Sequence, residues 1–404
     1  MKKKKKKWVR FHHRIVRTVA YWILYPYTVL RYGVKIEKFR EEKKRQFLIL
    51  LNHQTVFDQF FVGMAFPDPV YYMATEDIFS LGWISSLIRF VVAPIPIKKQ
   101  TTDVQAVLTC LRVAKEGGAI AIAPEGNRTY SGRTGYMNPA IAGLARKLNL
   151  PIALFRIEGG YGVQPRWCDK IRKGKMRAYV SEVIEPEAYQ AMTNEELAQK
   201  IADGLAVNEA VVDGTYECKQ NAEYLERALY TCPICGLAVQ ESHGDRIRCT
   251  KCNREMQYLP TKEFKGIGFQ SPFRFVADWY DYQEALVNRL DLTQHTETPL
   301  FRDTAKLSEV IVYKRKEKLR DSISLSLYGD RIVIDEGEEN ALNFPFEGLS
   351  AVTVLGRNKL NLYFDQKVYQ IKGDARFNAL KYVNLFHRYK NMNKENEHGK
   401  FLGL

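Results

Sequence analysis

Long apolar runs are scarce in this chain. The most membrane-like stretch is Thr18-Val-Ala-Tyr-Trp-Ile-Leu-Tyr-Pro-Tyr-Thr-Val-Leu30, 13 residues interrupted by Pro26. A helix crossing the hydrocarbon core needs about 20 apolar residues, so a conventional transmembrane segment is not expected. No A-x-A-like cleavage site follows this run, which argues against a secretory signal. Internal repeats are absent, which excludes solenoids and propellers. Cysteines are few, seven in 404 residues, which excludes a disulfide-dense scaffold and suits a reducing interior. A chain-wide excess of one charge is also missing. The net charge is +15, but residues 1–45 hold sixteen Lys/Arg against three acids. The other 359 residues carry 45 basic and 43 acidic groups. A basic surface tracking phosphates along the whole molecule is excluded, and nucleic acid is not an expected partner.

What is present suffices for a folded protein. Apolar residues make up 46% and charged ones 26%, and the length suits two or three domains. The concentrated charge opens the chain: six lysines at positions 2–7, then Trp8, Arg10, Arg14 and Arg17, then the aromatic-rich run. Trp and Tyr favour the headgroup layer, and neighbouring lysines favour an anionic leaflet by about 1 kcal/mol each. Residues 1–45 therefore read as an interfacial anchor on an anionic membrane surface, with residues 1–34 making the peripheral or monotopic contact on the cytoplasmic face.

From about 46 to 215 the text is that of an α/β domain. Near-continuous apolar strands are expected at 46–51, 70–74, 119–123, 152–157 and 176–180, as in a mostly parallel sheet covered on both faces. Helices are expected at 103–116, with Asp103 as the cap, at 139–148 and from 195 to 210. Residues 79–92 are apolar and aromatic, with Arg89 the only charge. They suit an acyl groove, the membrane interface or a core helix.

Two turns carry the chemistry. Strand 46–51 runs into Asn52-His53-Gln54-Thr55-Val56-Phe57-Asp58. On one helix, five steps would put His53 and Asp58 about 140° apart, so they meet only if His53 stays in the turn and Asp58 lies in the first helical turn. An Asp that accepts Nδ1–H leaves Nε2 as the basic nitrogen. Strand 119–123 ends in Pro124-Glu125-Gly126-Asn127-Arg128-Thr129, again at a carboxyl end, where α/β sheets place ligands. Gly126 permits close backbone approach. Arg128 suits a phosphate, and Glu125 could hold that arginine or accept from a ligand hydroxyl.

Together these turns resemble the glycerolipid acyltransferase family, the 1-acyl-glycerol-3-phosphate acyltransferases. The first block of that family, His-x4-Asp, reads here His53 to Asp58, and its third, Phe-Pro-Glu-Gly-Thr-Arg-Ser, reads Ala123-Pro-Glu-Gly-Asn-Arg-Thr129. The second block corresponds to Ala93-Pro-Ile-Pro-Ile-Lys98-Lys99, with Lys99 where the family has Arg, and the fourth to Leu150-Pro151-Ile-Ala-Leu154. The resemblance covers roughly residues 30–185. It implies transfer of an acyl chain from an acyl thioester, acyl-CoA or acyl-carrier protein, to the hydroxyl of a lysophospholipid, with lysophosphatidic acid the leading acceptor. His53 would be the general base, Asp58 would orient it, and Lys99, Glu125, Gly126 and Arg128 would bind the acceptor. No catalytic cofactor is implied. The same residues leave room for a second reading, a non-catalytic lipid-binding scaffold with a degenerate acyltransferase fold.

Beyond the resemblance lie two further parts. Cys232-Pro-Ile-Cys235 and Cys249-Thr-Lys-Cys252 stand 13 residues apart. Two such knuckles make a tetrahedral four-thiolate site for structural zinc, a ribbon over 228–260. Gly236 and Asn253 follow the pairs and tolerate the backbone these turns need. A helical linker over 265–304 leads to short alternating strands over 305–390, among them the hairpin Ile323–Ile334, closed by a helix from about 375 to 389. That pattern resembles a pleckstrin-homology-like barrel capped by a C-terminal helix. Residues 391–404 read as a polar tail.

Overall fold

The computed structural model describes residues 7–41, 45–97, 103–211, 213–311 and 316–392. The chain divides into two compact units, one of residues up to 165 with 171–216, the other of 166–170 with residues from 217 on.

The first unit is built on a seven-stranded sheet: β1 (Val34–Ile36), β2 (Leu48–Leu51), β3 (Val70–Thr75), β4 (Ile95–Ile97), β5 (Ala119–Ile122), β6 (Ile152–Glu158) and β7 (Met176–Ile184), in the order β1-β7-β6-β2-β5-β3-β4. The five strands β2 to β6 run parallel. β7 returns antiparallel to β6, and β1 pairs parallel to β7. All four residues of β2 are buried because they feed both faces. Ile49 and Leu51 join one core with Phe61, Phe66 and Phe155. Leu48 and Leu50 join the other with Cys110, Val113, Leu154 and Leu197. Two covered faces explain the continuous apolar text of the central strands.

Helices follow from local signals. In α1 (His12–Tyr32) the chain stays helical through Pro26 for 21 residues, where the sequence suggested an interruption. Gly33 stops it in the left-handed region at φ 62, its N–H on the Val29 carbonyl. β1 then draws residues 34–36 of the expected anchor into the sheet. Next come α2 (Asp58–Ala65), α3 (Trp83–Val91) and α4 (Val104–Lys115). Asp103 caps α4 by accepting from the Ala106 N–H at 3.0 Å, as expected of an Asp before an apolar helix. α5 (Ala140–Leu148) ends at Asn149 in the left-handed region, and α6 (Gly160–Val163) and α7 (Pro186–Gln190) are short. α8 (Asn194–Leu205) opens with a capping box of Thr193 and Glu196 and stops five residues before the expected end.

In the second unit, β8 (Thr231–Cys232) and β9 (Gly236–Leu237) form a small hairpin. Beside it lies the antiparallel sheet β10 (Gln240–His243), β11 (Arg246–Cys249), β12 (Glu255–Tyr258) and β13 (Phe264–Gly266). Helix α9 (Val276–Arg289) holds the segment leading into the hairpin by polar contacts: Gln283 accepts from the Tyr230 N–H at 2.8 Å and donates to the Ala228 carbonyl at 3.0 Å. Seven antiparallel strands follow: β14 (Phe301–Glu309), β15 (Glu317–Leu327), β16 (Arg331–Ile334), β17 (Leu342–Pro345), β18 (Leu349–Leu355), β19 (Lys359–Phe364) and β20 (Lys367–Gly373). Their order is β17-β16-β15-β14-β20-β19-β18, and α10 (Leu380–Met392) closes the chain's described part. The expected hairpin is present, with Leu327 opposite Ile332. β14 and β17 are strands the sequence text did not disclose, and β14 begins inside the expected linker.

Candidate active site

His53 and Asp58 meet because β2 ends at Leu51 and α2 begins at Asp58. The turn between them brings His53 Nδ1 to 2.8 Å from Asp58 Oδ2. Facing a carboxylate, Nδ1 carries the hydrogen and donates it, leaving Nε2 as acceptor. Asp58 is 1% exposed and the His53 side chain 27% exposed, so the carboxylate is sealed while the ring reaches solvent. Asp58 also accepts from the backbone of Gln54 at 2.6 Å and of Thr55 at 2.9 Å, and from Thr55 Oγ1 at 2.6 Å. These donors satisfy a buried charge that would otherwise be costly.

The turn after β5 closes against this one. Gly126 takes φ 67, and its N–H bonds the Ala123 carbonyl at 2.9 Å. A Cβ there would meet nothing within 4 Å, so the backbone at Gly126 is open to an approaching group. Glu125 is 5% exposed. Its Oε1 accepts from the His53 N–H at 2.8 Å and its Oε2 from the Gly135 N–H at 2.7 Å. Burial pushes its carboxyl up to about 8, against the pull of these two donors. The Thr129 N–H returns to the His53 carbonyl at 3.2 Å. Arg128 is 8% exposed in the same turn. Lys99 lies outside the described residues. The structure thus brings His53, Asp58, Glu125, Gly126 and Arg128 to neighbouring turns at the carboxyl ends of adjacent strands β2 and β5.

Several supporting residues are not evident from the sequence. Asn52 exchanges two bonds with Ile157, Nδ2 to the carbonyl and Oδ1 from the N–H, each at 2.8 Å, so the His53 turn is pinned to β6. Gly160 opens α6, and a Cβ there would overlap Gln54, so that short turn packs directly on the His53 segment. A polar Asn closing an apolar strand was the available signal for the first.

Two other features involve residues outside these turns. The Sγ atoms of Cys232, Cys235, Cys249 and Cys252 lie within 4.8 Å of one another, with Cys232 and Cys252 at 3.7 Å. Tetrahedral Zn–S bonds of about 2.3 Å put sulfurs about 3.8 Å apart, so the four thiols fit such an ion. Gly236 and Asn253 take φ 70 and 59, as the knuckle turns require. On the first unit, α1 and α3 expose large apolar side chains: Ile15, Val19, Trp22, Ile23 and Leu30 on one, Trp83, Leu87 and Phe90 on the other. The His12 ring stacks on Phe90 with centroids 4.5 Å apart. Among the described residues no helix is long and apolar enough to cross a membrane.

Residues 33–157 match a family model described as Acyltransferase. Two relatives are each similar over somewhat less than half of the chain. The chloroplastic 1-acyl-sn-glycerol-3-phosphate acyltransferase of Arabidopsis thaliana is 22% identical over 202 residues, 48% of this chain and 54% of that protein. The 1-acyl-sn-glycerol-3-phosphate acyltransferase of Bacillus subtilis (strain 168) is 24% identical over 178 residues, 44% of this chain and 86% of that protein. The chain therefore spans about half the length of the plant relative. The crystal structure of the 1-acyl-sn-glycerophosphate (LPA) acyltransferase PlsC from Thermotoga maritima is similar at a TM-score of 0.39 and 18% identity, covering 48% of this chain and 76% of that one. The matched segment, residues 33–157, contains both turns that meet at His53 and Glu125, so it is the part of the chain that holds these turns that is similar to an acyltransferase.

Proposed function

We propose that this chain is a membrane-associated O-acyltransferase. It moves a fatty acyl group from an acyl thioester to the free hydroxyl of a lysophospholipid, with 1-acyl-glycerol-3-phosphate as the leading acceptor. The observation that carries the reading is the His53–Asp58 pair at the carboxyl end of β2, held at 2.8 Å with the ring exposed and the carboxylate sealed.

The chemistry follows from that polarity. His53 Nε2 takes the proton of the acceptor hydroxyl as its oxygen attacks the thioester carbonyl. The tetrahedral intermediate collapses, the C–S bond breaks, and the His53 imidazolium returns the proton to the departing thiolate. A C–O bond has replaced a C–S bond with no enzyme-bound acyl group. Asp58 holds the ring and stabilises the imidazolium while both exist. Arg128 and Lys99 are assigned to the acceptor's phosphate, and Gly126 offers backbone without a side chain in the way. The donor is acyl-CoA or acyl-carrier protein.

The exposed apolar faces of α1 and α3, with the basic residues that precede α1, are read as the contact with an anionic bilayer. The four cysteines are read as a structural zinc site. Four thiolates fill a tetrahedral ion and leave no position for substrate. The strand order of the C-terminal domain, with α10 after it, is read as a pleckstrin-homology-like barrel that serves docking.

Mass spectrometry of lipids after incubating the purified chain with mixed lyso-lipids and acyl thioesters tests the reading. A diacyl product formed by wild type and absent with His53→Ala is the expected result. Equal turnover by His53→Ala would remove the catalytic assignment. Retained liposome binding with no product from any donor would leave a lipid-binding scaffold instead.

A further inference from the structure

The acyltransferase reading assigns Glu125 to the acceptor site, yet the partners of this carboxyl group are peptide groups. We propose that Glu125 is a positioning residue. Its buried carboxyl clamps the backbone N–H groups of His53 and Gly135, which fixes the turn carrying the base, and the acceptor lipid never touches it. The kinetic part of this inference rests on the proposed acyl transfer; the clamp itself does not.

The geometry supplies a job for each oxygen. Oε1 lies 2.8 Å from the His53 N–H and Oε2 lies 2.7 Å from the Gly135 N–H. The Thr129 N–H, four residues beyond Glu125, bonds the His53 carbonyl at 3.2 Å. Both backbone polar groups of His53 are therefore taken by the turn after β5, while its ring is taken by Asp58. Backbone and ring are held by different partners, and Nε2 has one place left to be. With Glu125 5% exposed, a lipid hydroxyl finds little of it to reach. The segment containing Gly135 is drawn in by the same side chain, so 130–139 and 52–58 share one attachment.

The chemistry of the clamp explains why a carboxyl group stands there. Two N–H donors need two acceptor oxygens, and a carboxyl offers both. A glutamine of the same size would turn its NH2 against one of the donors. A buried N–H left without an acceptor loosens the segment that bears it. Aspartate keeps both oxygens and falls short by one methylene.

The test uses the full chain with Glu125→Gln and two readouts. In hydrogen–deuterium exchange, segments 52–58 and 130–139 are expected to exchange faster together, by about tenfold or more, with β14 and β15 unchanged. In acyl-transfer kinetics, kcat is expected to fall about 100-fold, as for a base displaced by an ångström. The acceptor KM stays within about threefold, and the loss is equal for acceptors with and without a phosphate. An acceptor KM raised more than about tenfold at unchanged kcat would overturn the proposal and return Glu125 to the acceptor site. Unaltered exchange in 52–58 would overturn it independently of activity. If the wild-type chain transfers no acyl group, the acyltransferase reading fails by itself and the exchange experiment still decides the clamp. If Glu125→Gln does not accumulate folded, Glu125→Asp is measured in its place with the same two criteria.

Discussion

Four donors converge on the two oxygens of Asp58: the His53 ring, the Gln54 and Thr55 peptides, and the Thr55 hydroxyl. Asp58→Asn keeps one acceptor oxygen and loses the ring's orientation, so kcat should fall by about 100-fold to 10,000-fold in the acyl-transfer assay. Asp58→Ala removes every acceptor and leaves buried donors empty. At about 1–3 kcal/mol for each orphaned group, its urea midpoint should drop well below that of Asp58→Asn. Glu125 makes a pH prediction. Burial raises its folded-state carboxyl to about 8 from the ordinary 4.5. Between those values the folded chain holds a proton that the unfolded chain has released. Stability therefore falls as pH rises from about 4.5 to about 8. A Tm series across that window should show the slope in wild type and a flatter one in Glu125→Gln.

At the scale of elements, α1 depends on one backbone choice. Gly33 ends α1 at φ 62, and a Cβ there would overlap the Gly174 carbonyl oxygen. Gly33→Ala should destabilise the first unit by more than the roughly 1–2 kcal/mol that a left-handed L-residue costs, read from chemical denaturation. The four-thiolate site predicts about one zinc per purified chain, lost in Cys249→Ser. Chelation should speed hydrogen exchange across 231–253, because the apolar cluster there is made of the four cysteines and Ala238. A zinc content far below one per chain would remove that assignment.

Across the whole molecule the charge is lopsided: +13 of the net +15 belongs to residues 1–45. Replacing the lysines at 2–7, all but Lys7 outside the described residues, with neutral residues should weaken binding to anionic liposomes, as measured by co-sedimentation. Each lost lysine is worth about 1 kcal/mol at low salt. Turnover of detergent-dispersed substrate should stay close to wild type, since those residues precede the turns of the candidate site by more than forty positions.

Much of the fold and of the candidate site is legible in the sequence. The central strands β2, β3, β5 and β6 stand out because residues buried on both faces leave an unbroken apolar run. The two turns of the candidate site stand out because unusual polar residues follow directly on such strands, and CxxC spacing announces its own geometry. The short edge strands β1 and β4 do not stand out, nor does β14, whose polar alternation resembles a linker. The length of α1 is also hidden. Pro26 reads locally as a break, yet Thr28 and Tyr32 beyond it are buried against the first unit, and that packing holds the helix together.

By itself the sequence determined the inventory: a His-x4-Asp turn, a Glu-Gly-Asn-Arg turn, two CxxC pairs and one basic end. Side-chain chemistry and local spacing are written there directly. Tertiary structure alone decided who holds whom. The bond from the His53 peptide to Glu125 joins residues 72 positions apart, and those from Asn52 to Ile157 span 105. Such bonds depend on which way a peptide N–H points at the end of a neighbouring strand. That direction is set by sheet order and register, which no local pattern of residues records.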